Sequence, residues 1–169
     1  MEFSTMRPDG ASVATQLGEL TLHREPAKLY TDRTERWRVE LDGRPLAELP
    51  GFGHPGHHTA KLARRGIVGT FDGAELHIRA RGRHLLRSGR FVEFRTDDRT
   101  LCFVRRGLVR AELLEGGRTV ARSDGWMPVE PDPLQVLAVA VYTWAGLDYV
   151  NTNSVLNNLT LGFISALLS

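Results

Sequence analysis

The last 37 residues of the chain, Pro133 to Ser169, carry one charged side chain, Asp148. A stretch so apolar has to be buried in a core, in a partner or in a bilayer, and that requirement constrains the fold more than any motif. The preceding region has the opposite character. Lys61 to Arg122 holds 15 Lys/Arg against 7 Asp/Glu, a net of +8, whereas residues 1–60 sum to −2 and residues 123–169 to −4. The whole chain is only +2, so its charge is segregated rather than large. Segregation of this kind permits an anion-binding face without requiring one.

The start of the apolar tail is well marked. Asp132 followed by Pro133 predicts a helix with an Asp N-cap and proline in its first turn. Leu134 to Leu147 is then apolar on every face, and Gly146 marks its end. These residues span about 21 Å at about 1.5 Å each, too little for a bilayer core of about 30 Å. The reading is therefore a helix inside a protein core. Asp148 to Asn158 is a polar break, and Val155 to Leu168 is a second helical segment with Leu159, Phe163, Ala166 and Leu167 roughly on one face. That segment packs on the domain, pairs with a second copy of the chain, or lies on a membrane surface; packing is the favoured option.

Upstream, the apolar residues alternate. Leu20 and Leu22, then Trp37, Val39 and Leu41, then Leu76, Ile78 and Ala80, then Ala111 and Leu113 each occupy every second position. Period two with one apolar face predicts half-buried strands. Asp42-Gly43, Asp72-Gly73, Gly116-Gly117 and Asp124-Gly125 supply turns. The expected fold is mainly β, an antiparallel meander of about nine or ten strands closing into a barrel around the C-terminal apolar helix. Residues 1–15 read as a flexible leader, 16–147 as the barrel domain with its central helix at 133–147, and 148–169 as the polar break and apolar tail. Pro50 to His58 reads as a loop, ended by a basic segment at Lys61 to Arg65.

Cys102 is the only cysteine, which excludes an internal disulfide and a thiolate zinc site. Lying between Leu101 and Phe103, it reads as a buried strand thiol. Met1 to Gln16 has no apolar run of the kind a secretory signal needs. A reducing cytoplasm is the expected setting, with peripheral contact at a membrane.

Three patterns bear on chemistry. Only Lys28 and Lys61 among the basic residues are lysine, and the planar arginine fork suits phosphate and carboxylate. Arg79 and Arg81 share one side of a strand, Arg105 and Arg106 sit at a turn, and Arg110 follows on the outer face of the next strand. Brought together, these five would hold an anionic headgroup; the plain alternative is a solvated arginine-rich surface. Phe91, Phe94 and Phe103 fall on mixed faces, so the aromatic platform that single-stranded nucleic acid wants is lacking. His54, His57 and His58 are close enough to share a metal ion if other ligands join them, His23, His77 and His84 being the candidates; otherwise they form a solvated turn. No nucleophile elbow, phosphate loop or dinucleotide fingerprint is present, Asp97-Asp98 reads as a turn, and no catalytic residue or cofactor is assigned.

The hairpin run from Trp37 to Arg122, its strand-Asp-Gly-strand style, and the apolar helix opened by Asp132-Pro133 resemble the tubby C-terminal-like superfamily, which includes the plant LURP-one-related proteins and the phospholipid scramblases. The resemblance is one of architecture, over about Leu17 to Leu147. It implies a barrel around a buried helix. Tubby proteins bind phosphoinositides through a basic exterior patch, so it also implies a lipid-binding role; no binding residue is carried over. The expected function is a non-enzymatic binding module for anionic phospholipid headgroups at a membrane surface. The alternatives are self-association through residues 155–168 and a metal-dependent enzyme using the His54–His58 loop.

Overall fold

The alternating runs become strands because each places its apolar residues on one face and its charged residues on the other. A computed structural model of the chain describes residues 2–3, 10–26, 34–53, 57–81, 90–106, 110–123 and 130–147. The strands are β1 (Glu2–Phe3), β2 (Gly10–Thr15), β3 (Gly18–Pro26), β4 (Thr34–Leu41), β5 (Arg44–Gly53), β6 (Ile67–Phe71), β7 (Ala74–Arg81), β8 (Phe91–Arg95), β9 (Thr100–Arg106), β10 (Arg110–Glu115) and β11 (Arg118–Arg122). Helix α1 (His57–Arg65) lies between β5 and β6, and α2 (Pro133–Trp144) follows β11. The described strands form one sheet in chain order, and every neighbouring pair is antiparallel. The Asp42-Gly43 and Asp72-Gly73 turns have positive φ at both residues, the left-handed geometry that favours Asp-Gly and matches the twist of the strands they join.

One face of the sheet is the core. Val13, Leu22, Trp37, Leu49, Ile78, Phe94, Phe103 and Leu113 are all buried on it. Against this face lies α2. Asp132 caps it by accepting from the N–H groups of Leu134 (2.9 Å) and Gln135 (3.1 Å). Its other end closes through the N–H of Gly146 to Thr143 O and of Leu147 to Tyr142 O, with Gly146 at φ +61°. Leu134 to Tyr142 are buried without a break, and Thr143 is exposed. The Tyr142 ring stacks on Phe103, with centroids 4.1 Å apart and planes 10° apart, and Phe94 meets Phe103 edge-on at 5.8 Å. The inner face also holds an ion pair. Arg24 is the register partner of Trp37 and donates two hydrogen bonds of 2.8 Å to Glu35, which also accepts from Trp37 Nε1 at 3.1 Å.

The mainly β, antiparallel expectation and the Asp132-Pro133 helix start are found as read, but four expectations change. Gly10–Thr15, read as part of a flexible leader, is β2: its backbone pairs with β3, and Val13 is buried. The loop expected over Pro50 to His58 gives way to β5, which runs through Gly53, and to α1, whose first turn includes His57 and His58. Cys102 is not in the core; alternation sends Leu101 and Phe103 inward, so it occupies the outer face, half-buried. Arg105 and Arg106 belong to β9 rather than to a turn. The polar break, the second apolar segment at 155–168, His54 and His84 lie outside the described residues, and with them the self-association alternative. No described helix is long and apolar enough to cross a membrane.

Candidate functional site

A meander sorts its connections by end. The tight turns at 16–17, 42–43, 72–73, 97–98 and 116–117 all fall at one end of the sheet, because each joins an even strand to the next odd one. Acidic residues gather there: Asp42, Asp72, Asp97, Asp98, Glu115 and the N-cap Asp132. Short carboxylate side chains stabilise turns and helix starts, which is why they collect at this end. At the opposite end the strands finish in arginine: Arg81 closes β7, Arg106 closes β9, Arg110 opens β10 and Arg122 closes β11. The turn end also holds Arg44, Arg95, Arg99 and Arg118, so acidic groups are confined there more than cations are confined to the other end.

The five arginines do not form one cluster. Arg79 and Arg81 are both exposed on the outer face of β7, as read, and neither has an ion-pair partner among the described residues. Their cross-strand neighbours are Glu93 and Phe91. Arg106 and Arg110 are register partners two strands away. Arg105 pairs with buried Ala111, so it takes the inner-face register of Leu101 and Phe103 and is half-buried. Alternation thus puts Arg105 on the opposite face of the sheet from Arg79 and Arg81.

Further exposed cations lie on α1. This helix packs against β5 and β7, with Ala63 fully buried and Leu62 half-buried, and its exposed Lys61 and Arg65 lie four residues apart on the opposite side. Both lack ion-pair partners among the described residues. Val68, half exposed on β6, is opposite His77 of β7. The basic segment Lys61 to Arg65 is helical, and the apolar Leu62 and Ala63 between its cations are the local signal for that helix.

Among the described residues no three His, Cys, Asp or Glu side chains converge on a possible metal site; the side chains of His54, His57 and His58 lie outside them. His23 contacts Glu40 at 3.3 Å, and His77 contacts Glu75 on its own strand. Asp97 and Asp98 form the expected turn, where Asp98 accepts from Thr96 Oγ1 at 2.8 Å. Burial, with a smaller contribution from Glu93, pushes the Cys102 thiol up to about 11, so little of it is the reactive thiolate at neutral pH.

At the turn end, Arg99 ties the sheet to the start of α2. Its guanidinium donates to both Asp132 oxygens, at 3.1 and 2.6 Å, and to Glu115 at 2.7 Å. Glu115 also accepts from Gln135 Nε2 at 2.8 Å. Burial alone would raise the Asp132 carboxyl; the hydrogen bonds from Arg99 and from the Gln135 and Leu134 N–H groups outweigh it and hold the carboxyl below the usual range. Its stabilisation is present above the ordinary carboxylate pKa and is lost as the pH falls through the lowered value. Asp132→Asn keeps the cap acceptor but loses the charge. It is expected to cost about 1 kcal/mol at neutral pH, with the two stability curves converging in acid; urea unfolding across pH measures both.

No family model, curated protein or solved structure matches this chain.

Proposed function

We propose that the protein is a non-enzymatic module that docks on anionic phospholipid surfaces through the face formed by Lys61, Arg65, Arg79 and Arg81. The observation that supports this reading is that α1 packs on β5 and β7 while Lys61 and Arg65 on α1 and Arg79 and Arg81 on the outer face of β7 are exposed and form no ion pair among the described residues. Exposed Val68 adds an apolar contact suited to the headgroup boundary. Vesicle flotation tests it. Vesicles containing phosphatidylserine should carry the protein up, neutral phosphatidylcholine vesicles should not, and added salt should release it. Each basic residue near such a surface contributes about 1 kcal/mol, so the Arg79→Ala/Arg81→Ala variant should bind roughly thirtyfold more weakly. Equal failure to float with either vesicle would sink the reading.

We also infer that the sheet curls around α2 as a barrel, the arrangement that the tubby-like resemblance implies. A helix buried on successive faces, beside a sheet with one continuous buried face, supports this. So do the attachments of α2 to widely separated strands, through Arg99 and Phe103 next to and within β9, Glu115 of β10, and β2.

A further inference from the structure

A cleft of about 410 Å³ opens at the tight-turn end, the end opposite Arg81. Its volume is in the range of small-molecule sites, roughly 300–1,000 Å³. Leu41, Leu46, Phe71 and Leu134 line it with apolar surface. Charged groups complete the lining in two sets. The first is the Arg99–Asp132 pair, whose members are already engaged with each other. The second is Arg44 and Asp72, both exposed, whose side chains have no hydrogen bond or ion pair among the described residues.

The backbone fixes the spacing of these two side chains. Asp72 N–H donates to Leu46 O at 2.8 Å, and Ala47 is the register partner of Phe71. Arg44 therefore stands two residues along β5 from the strand position opposite Asp72, a diagonal separation of about 7–8 Å between backbones. Arg44 and Asp72 are opposite in charge and line the same cleft, yet they form no ion pair. One guanidinium and one carboxylate, separated above an apolar floor, complement a ligand with the reverse arrangement.

We propose that this cleft binds a small zwitterion with an apolar body, of the class of an apolar α-amino acid. The ligand carboxylate meets Arg44, its ammonium meets Asp72, and its side chain lies on Leu46, Phe71 and Leu134. A purely anionic ligand would be repelled by Asp72, and a purely cationic one by Arg44. The site is at the far end of the strands from the lipid-docking face, so each reading stands or falls without the other.

The test is a nuclear magnetic resonance titration of the full chain with three probes: phenylalanine, phenylalaninamide, which lacks the carboxylate, and 3-phenylpropanoate, which lacks the ammonium. Phenylalanine should shift the Leu46 and Asp72 amides saturably. Each truncated probe should bind about tenfold more weakly, the effect of losing one charged hydrogen bond. Arg44→Ala should reduce phenylalanine to the level of its amide, and Asp72→Asn should reduce it to the level of phenylpropanoate. Asn suits the left-handed backbone at position 72, where φ is +47°, so that variant keeps its turn. Absence of saturable shifts with phenylalanine, or equal affinity for the three probes, overturns the proposal.

Discussion

Phe103→Ala is expected to destabilise the protein by about 3–5 kcal/mol, the range for deleting a large aromatic side chain from a packed core. Phe103 has no exposed surface and contacts rings on two sides, Phe94 of the neighbouring strand and Tyr142 of α2. The loss has two parts. Transfer of the ring from water contributes the first, and the cavity left between β9 and α2 contributes the second, because a helix held at both ends cannot collapse into it. Asp132 and its partner Arg99 hold one end, and the Gly146 and Leu147 hydrogen bonds close the other. Phe91 is the control: it is half-buried at the outer-face register of β8, and its replacement by Ala should cost about 1 kcal/mol. For a chain of this size each kcal/mol moves the melting temperature by about 2–4 °C, so calorimetry would separate the two variants. Equal losses would mean that the faces of the sheet are misassigned.

How much of this was legible in the sequence depends on how local each signal is. Asp132-Pro133 and the Asp-Gly pairs were readable because capping and left-handed turns are decided within four residues. Strand β2 was not. Gly10 to Thr15 are small or polar residues whose only strong apolar side chain is Val13, and they become a strand by pairing with β3. Cys102 and Arg105 show a different difficulty. Alternation was available in the sequence, but reading a residue by its neighbours' hydrophobicity places Cys102 inside, whereas the two-residue period places it outside and Arg105 on the inner register. The candidate site was only half legible. Arg79 and Arg81 follow from one strand, but the packing of the Lys61- and Arg65-bearing α1 on β5 and β7 is a contact between segments that no single window shows. The cleft needs three turns and the start of a helix brought together, which no sequence window contains.

The buried ion pair supplies the second large effect. Glu35→Gln is expected to cost about 3–5 kcal/mol, because it leaves the Arg24 guanidinium, itself buried, without the carboxylate that it grips with two hydrogen bonds. The same change removes the charge that the indole N–H of Trp37 is directed at. An exposed pair such as Arg38–Glu25, with each side chain about half exposed, provides the comparison: breaking it should change stability by less than about 1 kcal/mol. The contrast lies in desolvation, which the buried guanidinium has already undergone and which water does not offset once its partner is gone. The double variant Arg24→Met/Glu35→Leu distinguishes a pair that stabilises the fold from one that merely must not be broken. If the pair's attraction only balances its desolvation, the double variant should recover at least half of the single variant's loss, as measured by urea unfolding. If it recovers nothing, the pair fixes the geometry of β3 against β4 at this end of the sheet, and apolar packing does not replace it.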